Sequence, residues 1–95
     1  MKCFMQDKKY EGMPLSIQCQ DQPKSWRTNS PEECLELCLN LTGCNGFTWI
    51  EKDTNWSDGK NRCCLKNITG EPNITATPGR ISGPIFCGKR LYPYT

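Results

Sequence analysis

Residues 30–46 read SPEECLELCLNLTGCNG, the one segment of the chain with a clear start, a clear face and a clear stop. Ser30 is a favoured helix N-cap, Pro31 suits the first helical position, where a missing N–H costs nothing, and Glu33 lies three residues past the cap to close a capping box. Glu32 and Glu33 place negative charge on the positive end of the helix dipole. Cys34, Leu37, Cys38 and Leu41 recur at i, i+3, i+4 and i+7, so two thiols and two leucines share one core-facing stripe. Gly43 suits a left-handed cap, which gives a helix of about three turns. Cys44 follows directly, where a reversing chain would carry it back toward Cys38.

Outward from this helix the pattern changes to short apolar runs between turn signals. On the N-terminal side Cys3 and Phe4 open a polar segment that reaches residue 11, and Gly12 with Pro14 marks a turn. Residues 15–19, LSIQC, alternate, which predicts a short strand with Leu15, Ile17 and Cys19 on one side. Residues 21–29 read as loop, with Trp26 expected to lie over the helix start rather than to serve as a ligand platform. On the C-terminal side, residues 47–50, FTWI, predict a central strand with Phe47 and Trp49 on one face and Thr48 and Ile50 on the other. Residues 51–61 form a long hairpin loop, and RCCLK at 62–66 returns as a strand. Side chains alternate along a strand, so Cys63 and Cys64 point to opposite faces and cannot both bond to the helix. Residues 67–83, rich in Thr, Gly, Pro and Asn, predict a mobile loop. Ser82-Gly83-Pro84 then turns the chain into a last short strand at 85–87, and 89–95 read as a C-terminal tail or linker after a domain spanning 1–88.

A chain of 95 residues buries only about 60–65% of its unfolded surface, so its core needs covalent help. Eight cysteines and no histidine, without any C-x-x-C knuckle, point to disulfides formed in an oxidising compartment and away from a metal site. Four glycosylation sequons, at Asn40, Asn55, Asn67 and Asn73, point the same way, although Asn40 falls in the last helical turn. The expected setting is therefore extracellular, in a secreted or cell-surface protein. A secretion signal would lie outside this sequence, with Met1 the start of an excised or mature module, and no apolar run is long enough to insert into a membrane. A net charge of +2 is too small for nucleic-acid binding.

Without histidine the usual nucleophile–base pairs cannot be built, so no catalytic residue, cofactor or metal ligand is expected. Recognition is the better expectation. Lys60, Arg62 and Lys66, together with Lys89 and Arg90, are candidates for a basic patch facing sulfated glycans or acidic protein, the plainer alternative being scattered solvating charge. Trp56, in a polar loop, is a candidate aromatic anchor, with a glycan on Asn55 placed to cover it.

Taken together, Cys34-x3-Cys38-x5-Cys44, Gly46-Phe47-Thr48-Trp49, Cys63-x-Leu65-Lys66 and Ser82-Gly83-Pro84 before Cys87 resemble the PAN/apple domain, as does Tyr10-x-Gly12-x-Pro14-Leu15 upstream. The resemblance implies an α+β fold, a small antiparallel sheet cradling one helix. It also implies disulfides Cys34–Cys63, Cys38–Cys44 and Cys3–Cys87, which leaves Cys19 for Cys64, a fourth bridge outside the common six-cysteine pattern. The function it implies is a non-catalytic interaction module that binds a protein or glycan ligand beside neighbouring modules of a larger chain. Two alternatives are a glycosylated spacer of an extracellular matrix or coat, and a secreted inhibitor or toxin-like scaffold.

Overall fold

The helix opens as its capping residues dictate. In a computed structural model, which describes residues 3–52 and 60–94, helix α1 (Pro31–Leu39) begins after Ser30, whose side chain accepts the Glu33 N–H at 3.1 Å. The Glu33 carboxylate reaches back one residue further than a standard capping box, to the Asn29 N–H at 2.9 Å. The end differs from expectation. The helix stops at Leu39 because Asn40, its C-cap, turns its side-chain amide onto the Glu36 carbonyl at 3.0 Å. Gly43 does adopt φ +87°, but past the helix, in the turn that brings Cys44 back to Cys38. The buried face is also wider than the expected stripe: Cys34, Leu35 and Cys38 are fully buried, while Leu37 and Leu41 pack only partly against the core.

That face rests on a four-stranded antiparallel sheet made of β1 (Met5–Tyr10), β2 (Gly46–Ile50), β3 (Arg62–Lys66) and β4 (Ile74–Pro84), in the order β1-β4-β2-β3. Phe47 and Trp49 of β2 and Cys63 and Leu65 of β3 meet the helix. Trp49 also donates its indole N–H to the Thr28 carbonyl at 3.1 Å, tying the helix approach to the sheet. Trp26, in a single 3-10 turn at Lys24–Trp26, packs against the same core.

Residues 67–83 are a loop only as far as Asn73. From Ile74 onward they form the longest strand, flanked by β1 on one side and β2 on the other. Their Thr, Gly and Pro content reads as loop locally, but ladder bonds on both edges override it. The first segment, expected to be merely polar, is likewise strand β1. Register between the two shifts at Asp7, φ +56°, whose carboxylate accepts the Gly79 N–H at 3.0 Å. Gly79 itself needs φ +82°, and a Cβ there would lie 2.6 Å from the Lys52 carbonyl oxygen. Beyond this bulge the ribbon leans over the sheet face away from the helix. The Tyr10 N–H donates to Thr48 Oγ1 at 3.2 Å, and Thr48 Oγ1 lies 2.7 Å from Ser82 Oγ, which donates to the Lys8 carbonyl at 2.8 Å. Since the one Ser82 hydroxyl proton goes to Lys8, Thr48 supplies the proton between the two hydroxyls, and every buried group in the relay is satisfied.

The strand expected over 15–19 does not form. One bridge, Pro14 to Lys66, touches the outer edge of β3, the chain then bends, and Cys19 opens a 3-10 turn (Cys19–Asp21). A side chain takes the missing strand's place. Buried Gln22 accepts the Leu65 N–H at 3.1 Å and donates to the Leu65 carbonyl at 3.2 Å and the Ile17 carbonyl at 3.0 Å, so that one amide stands in for a backbone partner and blunts the edge.

All eight cysteines are bonded: Cys3–Cys87, Cys19–Cys64, Cys34–Cys63 and Cys38–Cys44, with Cα separations of 5.8, 5.1, 5.4 and 5.3 Å. Cys63 faces the helix and Cys64 faces the N-terminal segment, as strand alternation requires.

Candidate functional site

The first and last described residues of the chain converge on one side of the molecule. After β4, the Ile85 N–H bonds to the Asn45 carbonyl at 3.0 Å, and β5 (Phe86–Cys87) pairs with β6 (Arg90–Leu91) across a turn in which Gly88 adopts φ +64°. The Tyr92 N–H then returns to the Ile85 carbonyl at 2.8 Å. The described part of the segment expected as a tail, residues 89–94, thus lies against the domain. The Cys3–Cys87 bond holds the N-terminus to the same place and brings Phe4 among the C-terminal tyrosines.

Phe4 is the pivot of this cluster. Its ring meets Phe47 edge-on at 5.2 Å, lies near-parallel to Tyr92 at 6.2 Å, and meets Tyr94 edge-on at 6.2 Å. Tyr92 and Tyr94 are edge-on to each other at 5.3 Å, and the Tyr94 hydroxyl donates to the Pro84 carbonyl. Edge-to-face pairs of this kind fix ring orientation and contribute beyond their buried area. Beside the cluster opens a cleft of about 430 Å³, walled by Phe4, Ile81, Tyr92 and Tyr94 and bordered by Gln6 and Glu32. Glu32 comes from the first turn of α1, so the capping sequence that starts the helix also sets a carboxylate at the cleft. Burial, with smaller contributions from Tyr10 and Tyr92, pushes the Tyr94 hydroxyl up to about 12. Burial also raises the Tyr92 hydroxyl, followed by the negative fields of Glu36 and Glu32. Both phenols therefore stay protonated near neutral pH.

The basic positions singled out in the sequence do not gather into one patch. Arg62 is buried and donates from Nη2 to the carbonyls of Cys19 at 2.8 Å and Gln22 at 3.4 Å. Lys66 is buried too: its Nζ donates to the Gly12 carbonyl at 3.0 Å, and desolvation lowers its pKa, opposed by Glu11. These two hold the N-terminal segment against the sheet. Lys60 is exposed at the approach to β3. Lys89 and Arg90 remain together, exposed, and border a second groove of about 380 Å³ that shares Tyr94 with the aromatic cleft. Asn40, Asn67 and Asn73 are exposed, whereas Asn55 and Trp56 lie outside the described residues.

Sequence reasoning missed the aromatic cleft because its walls come from the two ends of the chain. Phe4 directly follows one cysteine, and Tyr92 and Tyr94 follow soon after another. A terminal bridge between those cysteines is the signal that could have joined them. A comparison with curated proteins gave no match. Among the described residues no helix is long and apolar enough to cross a membrane. A family model, the PAN domain, matches residues 3–87. With one helix on an antiparallel sheet, four disulfides and a match over most of its length, this chain belongs to the PAN domain family.

Proposed function

We infer that the chain is a non-catalytic extracellular interaction module that recognises a protein or carbohydrate partner through the aromatic cleft, as one unit of a larger secreted or cell-surface protein. PAN domains are generally non-catalytic modules, and a PAN domain with four disulfides fits an oxidising, extracellular setting. The observation that carries the reading is the open cleft of about 430 Å³ whose walls are rigid rings at fixed angles. Recognition surfaces draw most of their affinity from a few such anchors, and an open apolar concavity with a few polar groups is the usual form of a ligand site.

The described sequons favour recognition over shielding. Asn40 sits at the opposite end of α1 from Glu32, and neither Asn67 nor Asn73 borders the cleft, so glycans at these positions would not be attached at its rim. The test is capture of partners from the native extracellular milieu, alongside a glycan array, by oxidised wild-type protein and by a Tyr92→Ala variant. Loss of an aromatic anchor costs about 2 kcal/mol, so retained partner should fall roughly thirtyfold. Equal capture by both proteins would move the binding face elsewhere. A loss confined to Lys89→Glu with Arg90→Glu would assign recognition to the neighbouring basic groove.

A further inference from the structure

We propose that the aromatic cleft is the seat of an arginine side chain on a partner protein. The proposal rests on the recognition reading above and names the partner chemistry of the same site.

Three features of the cleft converge on a cation. Its walls are aromatic rings set at different angles, with Tyr94 at 88° to Phe4 and 83° to Tyr92. A ring face attracts a cation electrostatically, and a planar guanidinium can also stack on it. The negative charge is supplied by Glu32 at the border, with Glu36 one turn further along α1; both carboxylates act on the Tyr92 hydroxyl. Among the described residues no lysine or arginine lines the cleft, so none of its described wall residues answers the charge of Glu32.

A neutral sugar fits less well. Sugar recognition needs several convergent hydrogen-bonding groups, and here the Tyr94 hydroxyl is already committed to the Pro84 carbonyl. Gln6, Glu32 and the Tyr92 hydroxyl are left. A purely apolar side chain would fill the walls but would desolvate the Glu32 carboxylate without compensation. An arginine satisfies both parts, with its plane against the rings and its N–H groups toward the carboxylate.

The experiment is an NMR titration of the intact, oxidised protein with N-acetyl-arginine amide, read on the ring resonances of Phe4, Tyr92 and Tyr94. Its uncharged isostere N-acetyl-citrulline amide and methyl galactoside are titrated in parallel. Saturable shifts are expected with a dissociation constant on the order of millimolar, as befits one side chain. Citrulline amide should bind at least about fivefold more weakly, and added salt should weaken the arginine probe. Glu32→Gln should weaken it by about two- to fivefold, the size of a partly exposed charge pair, with backbone amide shifts confirming an intact fold.

Unmoved rings, equal binding of citrulline amide, or shifts with galactoside alone would overturn the assignment. If the arginine probe is silent while Tyr92→Ala still abolishes partner capture, the cleft remains the recognition site and only its cation chemistry falls. If the probe binds but capture is indifferent to Tyr92→Ala, the cation seat stands and the recognition reading falls.

Discussion

Replacing Cys3 and Cys87 together by serine is expected to lower the stability of the oxidised protein by about 4 kcal/mol, a large share of what a domain of this size possesses. The bridge joins residues 84 positions apart, but the remaining Cys19–Cys64 bond shortens the effective loop. The route from Cys3 to Cys19, across to Cys64 and on to Cys87 still spans about 40 residues, and loop entropy varies only logarithmically with length, so the loss remains near 4 kcal/mol. The Cys34–Cys63 bond is different. Cys19–Cys64 ends one residue away, so in its presence Cys34–Cys63 closes a loop of only about 15 residues, worth about 3 kcal/mol in the same model. Denaturant unfolding of the two double variants under non-reducing conditions should therefore rank the terminal bridge above the helix bridge in entropy alone. The terminal variant should also lose partner binding under conditions in which its core stays folded, because Phe4 is then no longer held among the tyrosines. A loss below about 1 kcal/mol would mean that the freed ends recover the loop entropy by fraying in the folded state.

Phe47→Ala should cost about 3–5 kcal/mol, the range for emptying a fully buried aromatic position. Phe47 is completely shielded on the helix side of β2, meets Phe4 edge-on at 5.2 Å, and lies against Gly83, where an added Cβ would come within 3.1 Å of its ring. It therefore supports both the main core and the floor of the aromatic cleft. Ile74→Ala, at a strand position left 42% exposed, should change stability by no more than about 0.5 kcal/mol. Thermal or denaturant unfolding of both variants with all bridges intact checks the pair. Similar costs at the two positions would place the core elsewhere.

What could be read from the sequence was whatever depends on neighbours in the chain. Ser30, Pro31 and Glu33 act through local capping geometry, and the helix starts where they say. FTWI and RCCLK carry enough β-branched, aromatic and alternating character to stand as strands, and the opposite orientation of Cys63 and Cys64 follows from the pleat alone. What could not be read depends on partners distant in sequence. Residues 74–84 have the composition of a loop and become a strand only because β1 and β2 supply ladder bonds on both sides. Residues 15–19 alternate like a strand, yet Ile17 is 44% exposed, and the Gln22 amide occupies the place at β3 that such a strand would take. Arg62 and Lys66 look like surface charge in a one-dimensional reading, whereas carbonyls from residues 12, 19 and 22 make them interior anchors. The aromatic cleft is the extreme case, since Phe4 and Tyr92 meet across nearly the full length of the chain.

The claim beneath all of this is that neighbouring cysteines on β3 stitch opposite faces of the sheet, one to the helix and the other to the N-terminal segment. Mass-spectrometric mapping of peptides from the non-reduced, freshly purified protein tests it directly. Cleavage between Cys63 and Cys64, by partial acid hydrolysis, should yield Cys34 linked to Cys63 and Cys19 linked to Cys64, with Cys38–Cys44 and Cys3–Cys87 as the remaining pairs. Recovery of Cys34 linked to Cys64, or of unmodified thiols at these positions, would contradict it.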